Sequence, residues 1–205
     1  MVEAAARLVL EKYRSAHPEW TDDVTPLDDL ASWLGLEIAT FAVQDYPLGT
    51  YGFMDADDDE NLVWLCRDLS ENLRRFTLAH ELGHALLHCQ HGERLLALST
   101  QLPAAFVAQL IAAEDEQLPA LSHTEPCQEN DVQEDMASFQ EQEQIRQALG
   151  AHGYNPRSER ELMANIFAAE ILMPRQRLIT LYLHEGVAAQ KLATTFCVSQ
   201  VALLN

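Results

Sequence analysis

The sequence predicts an α+β fold, mostly helical, with a short antiparallel sheet set beside one central helix. Three observations predict it. Segments with apolar residues at helical spacing lie near both ends and in the middle of the chain, and three short strand-like segments cluster between residues 36 and 66. In addition, 48% of the 205 residues are apolar, enough to bury a sizeable core in one domain. A single domain over residues 1–205 follows, carrying one large acidic insertion at 91–158.

Glu3 to Ala16 reads as an amphipathic helix with Ala4, Leu8 and Tyr13 or Lys12 marking its faces, ended by His17-Pro18. Thr25-Pro26-Leu27-Asp28-Asp29-Leu30 reads as a capped helix start with proline in the first turn, running to Trp33-Leu34 and stopping at Gly35. Leu36 to Val43, Thr50 to Met54 and Leu62 to Cys66 are strand candidates, the last two joined by an acidic hairpin turn from Asp55 to Asn61. An exposed edge strand in such a sheet can pair with an extended peptide, and Leu62 to Cys66 is the favoured segment because it leads straight into the next helix.

That helix carries RFTLAHELGHALLH, Arg75 to His88. Leu78, Leu82, Ala85, Leu86 and Cys89 form an apolar stripe, while His80 and His84 share a neighbouring face. Two imidazoles four residues apart can grip one Zn²⁺, and Glu81 beside the first is placed to activate the attacking water of a peptidase. Thr77 offers a hydroxyl near the helix start, and Asp68 or Ser70 serves as cap if the helix begins near Glu71. Gly83 costs a helix interior roughly 1 kcal/mol relative to alanine, which points to a backbone or substrate passing close by.

The insertion is rich in Glu, Gln and Asp, with helix-like stretches at Phe106 to Ala113 and Val132 to Leu149 and a linker near Pro119 to Asn130. After it, Glu159 to Pro174 reads as a helix with Glu161 and Asn165 on one face and small Ala164 and Ala168 where another helix can approach. Glu161 is the preferred third ligand, completing a His₂Glu site with one open position, as a catalytic zinc requires. Asn165, one turn on, is placed to orient a ligating imidazole. His88 sits roughly 12 Å along the helix from His80, too far to share its ion. His91 requires an abrupt stop near Cys89, and Glu159 and Glu170 remain open as alternatives. Tyr51, Tyr154, Tyr182, His152 and His184 are candidates for the oxyanion donor by residue type alone.

The formal charge of −19 argues against direct nucleic-acid binding and against anionic membranes. A basic protein partner or substrate is compatible with it. The four cysteines, Cys66, Cys89, Cys127 and Cys197, have neither zinc-knuckle nor disulfide-framework spacing, and Cys66 and Cys89 read as core residues. With no basic leader and no apolar run able to span a bilayer, the expectation is a soluble cytoplasmic protein.

RFTLAHELGHALLH with the downstream ELMANIFAAEILMP resembles the ImmA/IrrE family of bacterial metallopeptidases. PLDDLASWLGLEI from Pro26 and KLATTFCVSQVALL from Lys191 also resemble segments of that family. The resemblance implies a zincin-like fold in which His80, His84 and Glu161 bind Zn²⁺ and Glu81 is the catalytic acid/base. It also implies a protein substrate, a DNA-binding repressor of helix-turn-helix type cut in a stress response. Two departures stand out: residues 91–158 intervene where the family has a short connection, and position 163 is Met where the family often has an acid. Asn205 falls inside an unfinished helix, which marks the chain as a candidate fragment of a longer stress or defence protein. The competing expectation is a binding or sensor module in which the zinc is a scaffold.

Overall fold

A computed structural model describes residues 2–47, 49–55, 61–87, 127–128 and 159–204. The core is built around one helix, α3 (Glu71–Leu87), with a small sheet on one side and the later helix α4 (Glu159–Leu172) on the other. Every residue of α3 from Thr77 to Leu87 is buried, so this helix makes contacts all round.

Before α3 come α1 (Val2–Ala16) and α2 (Leu27–Trp33). In α1 the inward stripe is Ala5, Ala6, Val9, Leu10 and Tyr13, and it packs on α4, while Ala4 faces solvent. The N-cap of α2 is Pro26 and not Thr25. Thr25 instead donates its hydroxyl to the Ile171 carbonyl at 2.7 Å, and its own carbonyl accepts from buried Arg75 at 3.0 Å. A tertiary bond between α2, α3 and α4 has thus displaced the local cap. Gly35, at φ +80°, ends α2 as its sequence position predicts.

The strands are β1 (Glu37–Phe41), β2 (Thr50–Asp55) and β3 (Leu62–Cys66), in the order β1-β3-β2, with the two-residue strand β4 (Cys127–Gln128) paired antiparallel to β2. The α+β class is as expected, but the sheet is mixed, since β1 runs parallel to β3 while β2 runs antiparallel to it. The Leu62 to Cys66 strand occupies the centre of the sheet. Both its edges are paired, so it is not the edge that a peptide could join, and the sequence-based preference for it is corrected. Val63, Leu65 and Cys66 are buried in the core, whereas Phe41, Phe53 and Trp64 make ring contacts with one another. Gly52 lets α3 settle on β2: a Cβ there would meet the Thr77 methyl at 2.6 Å.

Beyond α4 the chain forms α5 (Arg175–Ile179), a π-helical turn (Thr180–His184), α6 (Ala189–Phe196) and α7 (Gln200–Leu204). Leu192, Ala193 and Phe196 join the core. Arg177 ties α5 to the loop before α2 through Asp23 at 3.0 Å. The helix-like stretches at 106–113 and 132–149 lie outside the described residues, as does nearly all of the expected insertion. Its expected linker contains β4.

The helices α3 and α4 approach backbone to backbone. A Cβ on Gly83 would lie 3.0 Å from the Ala164 Cα and 3.3 Å from the Phe167 Cβ, so the expected reason for a mid-helix glycine holds. Gly83→Ala sets a propensity gain of roughly 1 kcal/mol against overpacking of about 1–3 kcal/mol on unyielding backbone. Thermal denaturation followed by circular dichroism is expected to show a lower Tm for the variant; an unchanged or higher Tm would mean that the two helices can part without cost.

Candidate metal centre

Helical periodicity puts His80 and His84 one turn apart on α3, and the short Gly83–Ala164 approach carries α4 within reach of both. The contacts run in opposite senses, His84 to Glu161 and His80 to Asn165, so the two helices are antiparallel here. His80 Nε2 lies 3.2 Å from one Glu161 oxygen and His84 Nε2 lies 3.3 Å from the other. The two Nε2 atoms are 3.0 Å apart. Ligands held tetrahedrally about 2.0–2.1 Å from a zinc ion are about 3.3 Å from one another, so the two nitrogens and the carboxylate that faces them have the spacing one such ion requires.

The chemistry of the donors also calls for a cation. His80 Nδ1 is 2.8 Å from Asn165 Oδ1. An amide oxygen only accepts, so on this hydrogen-bond pattern Nδ1 carries the hydrogen and Nε2 presents its lone pair to the group. Asn165 thereby sets the tautomer that ligation needs. Burial pushes the His84 imidazole towards its neutral form, against the opposing pull of Glu161. For Glu161, burial favours the neutral acid, but the two imidazoles set against it outweigh that and hold the carboxyl well below the usual carboxylate range. Two imidazole nitrogens and a carboxylate, all buried, are converged for a positive ion. Among the described residues this is the one group of His, Cys, Asp and Glu side chains arranged to hold a metal.

Glu81, fully buried beside His80, stands outside that group. The rival third ligands fall away where they are described. Glu170 lies with Arg7 at 3.6 Å and the Arg175 amide at 3.4 Å, and its carboxyl is raised mainly by burial. His88, His91 and the Glu159 side chain lie outside the described residues. Of the oxyanion candidates, Tyr182 and His184 are exposed on the π-helical turn and Tyr51 is half-buried on β2, while Tyr154 and His152 are outside the described residues. Cys66 is a core residue, as expected. Sequence reasoning passed over Arg160, whose charge is near enough to oppose protonation of His84; its place next to Glu161 was the available signal. An apolar cleft of about 550 Å³ adjoins Asn165, walled by Leu73, Phe76, Ile166, Met173 and Ala202.

Two histidines of an HExxH helix joined by a carboxylate from a second helix define a metallopeptidase-type site. The chain matches the profile of the peptidase M78 family, described as the IrrE N-terminal-like domain, over residues 34–112 and 134–205, and it belongs to that family. The ImmA/IrrE resemblance is thereby borne out. No curated protein sequence matches the chain at a significant level. No helix among the described residues is long and apolar enough to cross a membrane.

Two measurements test this assignment of roles. Purified wild-type protein is expected to carry one divalent ion per chain by plasma mass spectrometry, lost in His80→Ala and Glu161→Ala and bound about 10- to 100-fold more weakly in Asn165→Ala. Retention in Glu161→Ala would move the third ligand elsewhere. Glu170, by contrast, bears a cost of ionisation. Its folded pKa is raised, so the stability it contributes is present below the unfolded value and lost as pH rises through the folded one. Glu170→Gln is therefore expected to raise Tm at pH 7, with the gain vanishing below about pH 4; a gain that persisted in acid would have another origin.

Proposed function

We propose that this chain is a zinc-dependent endopeptidase and that its substrate is a protein partner, a DNA-binding repressor of helix-turn-helix type. The observation that carries the reading is the triangle of His80, His84 and Glu161 with Glu81 adjacent in sequence and equally buried. A divalent ion held there supplies Lewis-acid polarisation of the scissile carbonyl and acidifies the attacking water.

The chain's own residues do the rest. His80 and His84 present neutral nitrogens and Glu161 a carboxylate, the donors that would hold the ion and offset its charge. Asn165 holds the His80 ring through Nδ1. Glu81 takes the proton from water and delivers it to the leaving nitrogen. A metal serving purely as a scaffold needs no such carboxylate and is ordinarily closed by four protein ligands, which favours catalysis over the sensor reading. A repressor as substrate implies action in the cytoplasm, and the family's association with stress responses supports that setting.

Glu81→Gln separates the ion from the chemistry. It is expected to keep full metal content while losing about 10²- to 10⁴-fold in turnover of a helix-turn-helix repressor that the wild type cleaves, measured by product mass spectrometry. Cleavage by the variant at the wild-type rate would sink the mechanism.

A further inference from the structure

The two faces of the sheet differ in character. On one, Gly52, Met54, Val63 and Leu65 lie against α3 and the core. Side chains alternate along a strand, so Ala39, Phe41, Phe53 and Trp64 belong to the other. Phe53 and Trp64 are partners across the β2–β3 pair, with ring centroids 6.2 Å apart and planes inclined by 17°. Phe53 also meets Phe41 at 5.7 Å and Tyr46 at 4.9 Å. Of these four rings only Phe41 is buried; Phe53 and Trp64 are half-buried and Tyr46 is 38% exposed.

Trp64 is open on one side for a definite reason. Its register partner on β1 is Ala39, whose methyl cannot cover an indole. The described helices that pack on the sheet, α2 and α3, do so from the core side. A contiguous aromatic cluster left part-exposed, unlike scattered apolar residues, marks an interaction surface.

Charge decides what docks there. Two residues along the strands from the Trp64 row, Glu37 and Asp55 stand in register on either side of Leu62, and Glu37 is exposed. Five of the six residues from Asp55 to Glu60 are acidic, and this connection leaves the sheet from that row. From Leu36 to Ser70 the sole basic residue is Arg67, which follows β3 at the opposite end. Aromatic faces within a negative field attract cations. A guanidinium suits them better than an ammonium, because it is planar, weakly hydrated and stacks flat on a ring. The chain makes such a contact internally, with Arg14 lying 4.3 Å over the Trp20 ring.

The geometry points to the outer face of the sheet, centred on Trp64 and Phe53, as a docking surface for an arginine-bearing segment of a partner protein. The helix that carries the metal centre lies on the other side of the sheet, so the surface stands independently of the peptidase reading.

Calorimetry and NMR on the full chain test it, with capped octa-arginine as probe and octa-lysine as its equal in charge. Octa-lysine is expected to bind at least about threefold more weakly than octa-arginine. Trp64→Leu, which keeps an apolar side chain without a ring, is expected to weaken octa-arginine binding about 3- to 30-fold. Tyr182→Leu, at an exposed aromatic on the π-helical turn, is expected to stay within about twofold of wild type. In wild-type protein labelled with ¹⁵N-tryptophan, the indole resonance of Trp64, assigned from Trp64→Phe, is expected to shift as octa-arginine is added. That readout holds even where Trp64→Leu fails to fold. The inference is overturned if octa-arginine does not bind, if octa-lysine binds as tightly, if a folded Trp64→Leu binds like wild type, or if the Trp64 indole stays in place at saturation.

Discussion

The close approach of α3 and α4 at Gly83 and Ala164 is the constraint on which the rest of the structure depends. With backbone this near to backbone, a carboxylate on α4 reaches two imidazoles on α3 and an amide reaches behind one of them. Wider spacing would leave the donors apart, and each would then be a buried polar group to be satisfied separately. The approach also explains why α3 is enclosed on every side: α4 covers one flank, the sheet covers another through Gly52, and α2 closes the remainder with its Thr25 link to Ile171 and Arg75. Glycine thus appears at two places where α3 is tightly clasped, once in the helix itself and once in the strand beneath it.

Much of this was legible because it is local or periodic. His80 and His84 announce themselves by a four-residue spacing, Gly35 by its place after an apolar run, and β3 by its boundaries. The partnership of α3 and α4 was legible as well, since a glycine in one helix and alanines in the other have few other reasons to be there. Strand order was not. β3 is next to α3 in sequence and therefore looks like the accessible strand, yet β1 returns alongside it in parallel and closes its other edge, and nothing local encodes that pairing. Thr25 misleads for a related reason: its cap signal is genuine, but a tertiary acceptor on α4 outcompetes the helix it precedes. Thr77 looks like a helix-start residue until the start is seen to be Glu71, which turns an ordinary capping hydroxyl into a buried one.

Charge is distributed in a way that composition alone conceals. The chain is strongly acidic overall, yet three of its described arginines tie elements together: Arg74 grips Asp28 with both terminal guanidinium nitrogens, Arg177 grips Asp23, and Arg75 turns inward to the Thr25 carbonyl. These links surround α2 and hold it to α3 and α5. Exposed pairs of this kind contribute modestly on their own; here they serve mainly to keep the outer helices in register with the buried pair that matters.

His80 and Asn165 are 85 positions apart in the chain, so the site is a seam between two distant stretches of polypeptide. An unfolded chain offers an ion the two histidines but not the carboxylate that completes them. Capture of the third ligand is therefore a folding event, and a bound ion acts as a clasp whose strength is drawn from, and returned to, the stability of the whole domain. The entropy of closing that seam rises only with the logarithm of the intervening length, about 0.6 kcal/mol for each doubling. A chain can thus lengthen the stretch between its two metal-bearing helices a great deal while the clasp between them continues to close.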